Sequence, residues 1–232
     1  MQKSKIDWCD YSINPIRGLC PVDCRDNQGK SYCYARRLYR RFGWNPEIRF
    51  EPIRDSDLPQ KPSKIFVGST MELFGEWVDA FWLDSIFRSV KDNPQHTFIF
   101  LTKCPQNLPK EFPDNCWAGV SATNMSMADK GVRCLYKIKA KVKFLSLEPL
   151  LSWQHSSFLR FPNFLNWVII GAQTPYSSKT APKIEWVREI IEACDKAGIP
   201  VFEKNNLVPL FNAQKSIPRW AVSSQGLRQE FP

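Results

Sequence analysis

The chain has 232 residues, 43% of them apolar and 24% charged, ordinary values that exclude a disordered polymer. No apolar run approaches the roughly 20 residues that a membrane span needs. Lysine and arginine outnumber aspartate and glutamate 32 to 23, and the net charge of +9 favours contact with a polyanion, most simply a nucleic acid, the alternative being a basic but inert surface that helps solubility.

The N-terminus, "MQKSKIDWCDYS", has charges with no apolar stretch behind them, so no secretory signal is expected and the cytoplasm is the expected compartment. Thiols stay reduced there, and the eight cysteines read as core residues and metal ligands rather than disulfides. A first strand is predicted near residues 11–16, followed by a cysteine-bearing loop and a helix over 34–42. "EIRFEPIRDSDLPQKPS" (47–63), with its prolines and charges, reads as a surface loop.

From residue 60 onward short apolar runs alternate with helical patterns. The runs are "KIFVGST" (64–70), "TFIFLTK" (97–103), "CWAGVSA" (116–122), "VKFLSLE" (142–148), "NWVIIGA" (166–172) and "IPVFEKN" (199–205). Each is nearly continuous in hydrophobicity, as a parallel strand buried on both faces must be. Phe81, Trp82, Ile86, Phe87 and Val90 mark one intervening helix. Trp186, Val187, Ile190, Ile191 and Cys194 mark another, stopped by the glycine of "KAGIP". A weaker helical pattern covers 128–136.

Repeated strand–helix units call for a parallel sheet with right-handed crossovers. The expected fold class is α/β, a parallel-stranded partial TIM-type barrel of about six or seven β/α units. A single domain over 1–232 is expected, with a tail from about 207 that no periodicity assigns.

Polar residues close the predicted strands: Ser69-Thr70-Met71-Glu72, Thr102-Lys103, Ser121-Ala122-Thr123-Asn124, Ser146-Leu147-Glu148, Gln173-Thr174 and Glu203-Lys204-Asn205. In parallel α/β folds the carboxyl ends of the strands form the active site. Any buried strand also turns polar where it reaches solvent. Charges such as Lys103, Glu148 and Lys204 at a partly desolvated barrel mouth favour the functional reading.

Cys20 and Cys24 are four apart and Cys33 lies nine further on. Structural zinc takes four ligands, and the only histidines, His96 and His155, lie far from this loop; Cys9 is the one candidate fourth ligand. Three cysteines alone are what a 4Fe-4S cluster needs if one iron is to stay open. The residues between Cys24 and Cys33, "RDNQGKSY", contain a turn that can return Cys33 to the other two. Cys104, Cys116, Cys134 and Cys194 sit in apolar contexts and read as core.

This loop after the first strand of a parallel barrel resembles that of the radical S-adenosylmethionine (SAM) superfamily, whose usual spacing is CxxxCxxC; here the second gap is stretched to eight residues. "KIDWCDYSINPIRG", "CYARR", "PSKIFVGSTMELFGEWV", "NPQHTFIFLTKCP", "FLSLEPLL", "NWVIIGAQT" and "GIPVFEKNN" extend the resemblance over nearly the whole chain, to a phage-associated branch of largely unassigned function. Where that branch has "GGxSG"-like residues, this chain has Gly171-Ala172-Gln173-Thr174.

The resemblance implies an enzyme in which Cys20, Cys24 and Cys33 hold a 4Fe-4S cluster. The cluster would pass one electron to S-adenosyl-L-methionine and so generate a 5′-deoxyadenosyl radical. By motif position Ser69, Thr70, Met71 and Glu72 fall where the SAM amino group is received. Thr102, Lys103, Ser121 and Glu148 are candidates for ribose, carboxylate or substrate, and Tyr34 for packing beside the adenine. An electron donor is implied as a partner.

In "ARRLYRRF", Arg36, Arg37, Arg40 and Arg41 are candidate phosphate contacts, with Tyr39, Phe42 and Trp44 available to stack on bases. A solvated helix face is the plainer explanation of such a run. The expected activity is modification or repair of a nucleic acid (DNA or RNA) or a nucleotide-derived substrate. The alternatives are a zinc-dependent nucleic-acid-binding protein and a radical SAM enzyme acting on a peptide or small metabolite.

Overall fold

The computed structural model describes residues 2–154, 161–213, 219–223 and 226–232. His155 lies outside the described residues. Strands β1 (Gln2–Lys3), β2 (Tyr11–Ile13), β3 (Ile16–Arg17), β4 (Arg49–Phe50), β5 (Lys64–Val67), β6 (Thr97–Thr102) and β7 (Cys116–Ser121) precede β8 (Val142–Leu147), β9 (Trp167–Ile170) and β10 (Val201–Glu203). Helices α1 (Tyr34–Phe42), α2 (Ala80–Asp92), α3 (Met125–Tyr136) and α4 (Ile184–Ala197) alternate with the later strands, and α5 (Val208–Asn212) follows β10. Seven strands of the main sheet, from β2 to β10 without the β3–β4 pair, are parallel, the α/β class and partial TIM-type arrangement expected. β1 adds one antiparallel edge strand. Among the described residues no helix is long and apolar enough to cross a membrane.

The chain divides into two compact units, Met1–Gly119 with Lys137–Lys141, and Val120–Tyr136 with Val142–Pro232. In the first, β5 pairs with β2 and β6 in parallel, placing Val67 beside Ile13 and Phe100. Phe98, Ile99 and Phe100 are fully buried, each contributing about 1.5–3 kcal/mol by leaving water. Phe100 also belongs to an aromatic cluster with Phe87, at 5.4 Å, and Phe74, at 6.2 Å. That cluster anchors the turn after β5. Gly68 enters the turn with φ +82°, and a Cβ there would come within 2.6 Å of Leu73 Cγ, so only glycine lets residues 69–72 fold back over the strand end.

In the second unit β9 is central, paired in parallel with β8 and β10. Trp167 packs on Phe144, Phe202 and Phe231 at 5.4, 5.8 and 5.5 Å. Its indole N–H donates to the Glu230 carbonyl at 2.7 Å. The end of the chain, unassigned by periodicity, thus runs beside β10, where Gln229 bridges Phe202 in antiparallel fashion.

Three expectations are corrected. The first predicted strand stops at Ile13, because Pro15 has no N–H for a ladder; Ile16 and Arg17 pair instead with Phe50 and Arg49, inside the stretch read as loop. Phe81 is 64% exposed and not part of the core face of α2; its ring lies under the Arg88 guanidinium. Cys104 and Cys134 are only half-buried, whereas Cys116 and Cys194 are core residues.

Candidate cysteine site and strand-end polar groups

Helix α1 begins at the cysteine loop. Cys33 is its N-cap, and Gly43, at φ 61°, ends it in the left-handed conformation glycine tolerates. The amides of Ala35 and Arg36, in the first turn, favour a negative Cys33 sulfur without forming a cap bond of good geometry. Arg36 reaches back across the loop: its guanidinium donates to the carbonyls of Cys20, at 2.9 Å, and Val22, at 3.4 Å. Asp26 ties the inserted turn, accepting at Oδ1 from the amides of Gln28 and Lys30.

The three thiols interact with one another. Cys24 donates its S–H to Cys33, which holds the Cys24 thiol far above its ordinary value and, with those two amides and the nearby Lys103 ammonium, pulls Cys33 down to about 5. Burial pushes Cys20 up, against the amides of Glu72 and Val22 that point at its sulfur. Tyr32 hydrogen-bonds to Cys24, and burial beside the thiols pushes its phenol up. Among the described residues no three His, Cys, Asp or Glu side chains are gathered as tightly as a single bound ion requires. Cys9 lies elsewhere, its S–H toward Ser4 Oγ at 3.2 Å.

Glu72 connects this loop to the strand ends. The carboxylate is 7% exposed. Oε1 accepts from the Thr102 hydroxyl at 2.6 Å and the Phe74 amide at 3.1 Å, and Oε2 from the Lys103 amide at 2.7 Å. Thr102 in turn accepts from the Cys104 amide. Ser69 and Thr70 are held by Asn14, which exchanges hydrogen bonds with the Ser69 hydroxyl and accepts from the Thr70 amide at 2.9 Å. Tyr34, 42% exposed, donates its hydroxyl to the Ser69 carbonyl. Met71 is buried and packs inward.

The first unit therefore brings together Cys20, Cys24, Cys33, Glu72, Thr102 and Lys103, with Tyr34, Ser69 and Thr70 alongside. Asn14 and Tyr32 were missed by sequence reasoning. Asn14 is itself a polar residue just past a strand and answers to the rule applied to the other strand ends; Tyr32 had only its place beside Cys33 to mark it.

Of the four arginines, Arg36 is engaged with the cysteine loop through the Cys20 and Val22 carbonyls. Arg40 and Arg41 are exposed and Arg37 is half-buried. Arg41 also lies 5.3 Å from the centre of the Phe42 ring.

Ser121 and Glu148 belong to the second unit. Ser121 Oγ lies 3.4 Å from the Glu148 carbonyl, and the Glu148 carboxylate pairs with Lys204. Their side chains are 22% and 14% exposed, so the pair is largely withdrawn from water. Gly171 makes room for it: a Cβ there would lie 3.0 Å from Lys204 Cδ and 3.2 Å from Glu148 Cγ. Asn206 clamps the same loop through the amide and carbonyl of Ala172 and the Thr174 hydroxyl.

Comparison with known proteins adds three findings. The family described as a protein of unknown function (DUF5131) matches residues 3–207. No curated protein matches the chain. A solved spore photoproduct lyase mutant with bound AdoMet and dinucleoside spore photoproduct is similar at 12% identity and a TM-score of 0.47. The similarity covers all of this chain and 65% of that one, so the chain spans just under two thirds of that protein's length.

Proposed function

The chain belongs to the DUF5131 family, and from that starting point we propose that it is a radical SAM enzyme, with Cys20, Cys24 and Cys33 holding a 4Fe-4S cluster and a nucleic acid or nucleotide-derived molecule as substrate. The observation that carries the reading is the convergence of three thiols, one already favoured as thiolate, on a loop closed by Arg36 and flanked by Glu72 and Lys103. The donor set fits: three thiolates ligate three irons and leave one for a small molecule. Cys9, engaged with Ser4, is not offered as a fourth. When bound there, the cluster with SAM would supply one-electron cleavage of the sulfonium and hence a 5′-deoxyadenosyl radical.

The chain's own residues prepare that site. The α1 amides and the Lys103 ammonium stabilise thiolate at Cys33. Arg36 fixes the loop carrying Cys20, and Tyr32 shields Cys24. Glu72 places a negative charge beside the loop, suited to an ammonium such as that of SAM; with three of its roughly four acceptor positions filled, it keeps one.

Purification without oxygen, with iron and sulfide assays, tests the reading. About four irons per chain are expected, lost when Cys20, Cys24 and Cys33 are all replaced by alanine, together with SAM cleavage after reduction. A colourless protein that takes up one zinc and no iron overturns it.

A further inference from the structure

A groove of about 1270 Å³ in the first unit begins at Tyr34, Ser69 and Thr70 and runs past β1, β3 and β4. It exceeds the roughly 300–1,000 Å³ of an ordinary small-molecule pocket, so it suits a ligand longer than SAM. Its walls bear two kinds of group. Lys3, Lys5, Arg17, Arg49 and Arg54 stand against only two carboxylates, Glu51 and Asp57, an excess of three positive charges. Arg17 and Arg49 share Glu51, at 2.9 and 3.3 Å, and Arg54 is held by Asp57; Lys3 and Lys5 are exposed.

The second kind is aromatic. Phe42 and Trp44 are 55% and 46% exposed, and their rings stack at 5.4 Å with planes 20° apart. Tyr39 holds Trp44 edge-on at 5.3 Å while its hydroxyl accepts from the Gly18 amide at 2.7 Å. A shelf of this kind, braced by Tyr39 and about half exposed, costs little ordering entropy to use. None of Arg36, Arg37, Arg40 and Arg41 lines the groove; α1 contributes its aromatic residues there and the strands contribute the cations.

We propose that this groove binds a single-stranded segment of nucleic acid, with unpaired bases on the Phe42–Trp44 shelf and phosphates along Lys3, Lys5 and the β3–β4 arginines. Cations that track a backbone beside aromatic faces are the combination single strands require. A duplex hides its base faces in its own stack and meets only the charges. The inference deepens the reading above by naming the state of the substrate and its path, and it rests on that reading only for what happens to the strand at the cysteine site.

The test is fluorescence anisotropy of the full chain with a labelled single strand of about 12 nucleotides. The parent should bind it, and an unlabelled duplex of the same sequence should compete at least about tenfold less well. The double variant F42A/W44A should weaken binding about tenfold or more. K3A/K5A should weaken it and flatten the salt dependence of log Kd by about 1.4, two single-strand phosphates' worth. All four side chains are exposed, and a circular dichroism melt confirms that the variants fold. Equal competition by duplex or by polyglutamate overturns the proposal. So do unchanged binding in both groove variants and loss of binding confined to R40A/R41A. Iron content reports on the cofactor and anisotropy on the groove, so either idea can fail without the other.

Discussion

Glu72 and Glu203 are both buried carboxylates close to the ends of parallel strands, one in each unit, yet their surroundings set them opposite tasks. Glu72 receives three donors and sits beside thiols and Lys103. Glu203 is fully buried; its Oε2 accepts from the Arg228 amide at 3.0 Å, while Oε1 has no partner among the described residues. Burial pushes Glu203 up to about 8, against that amide and the Arg228 charge. Arg228 itself is taken by Asp195 at 2.8 Å and Glu230 at 3.0 Å. The chain thus surrounds one buried carboxylate with three donors and leaves the other, met by a single amide, to hold its proton.

The largest effect should come from Glu72→Gln. However the amide is turned, its NH2 meets a backbone N–H or the Thr102 hydroxyl that donated to the carboxylate, leaving buried donors unpaired. We expect a loss of about 2–4 kcal/mol in urea unfolding. A loss below about 0.5 kcal/mol would show that the three bonds do not hold the turn. Glu203→Gln should act in the other direction and depend on pH. Folded protein keeps the Glu203 proton that the unfolded chain releases above the ordinary carboxylate range, so this group's contribution is complete below about 4.5 and is lost as pH rises through about 8. The variant should match the parent near pH 4.5 and exceed it at about pH 6.5 by about 2–3 kcal/mol, read from the two urea transitions. A difference that does not change with pH would mean the carboxyl is not protonated in the fold.

Much of this contrast lay beyond the sequence. Strand cores and α1 were legible, because continuous apolar runs and a helix ended by Gly43 carry local signals. The β3–β4 pair was not: two residues a side give no periodicity, and pairing depends on residues over 30 positions apart. The cysteines, Glu72, Thr102 and Lys103 were visible as residue types at strand ends. Their partners were not, since Glu148–Lys204 and Arg36–Cys20 are choices made by the folded chain. Phe81 misled for the same reason: it keeps the spacing of a core residue at the first turn of α2, where it stays mostly exposed and meets the Arg88 guanidinium.

Arg36 and Arg40 allow the smallest and most local test, because they sit one helical turn apart in one basic run. Arg36 spans two carbonyls of the cysteine loop, whereas Arg40 is exposed. Arg36→Ala removes charge-assisted bonds at a half-buried site and should cost about 1–2 kcal/mol. Arg40→Ala should stay within about 0.5 kcal/mol. The sharper readout is amide exchange at residues 20–24. Protection there should fall in the Arg36 variant, because the loop opens without the guanidinium across it, while the strands keep theirs. If both variants protect the loop equally, Arg36 is an ordinary surface cation and the loop is held by its own turn. If only Arg36 matters, a run that reads as uniformly basic divides into one residue that builds the cysteine site and others that do not.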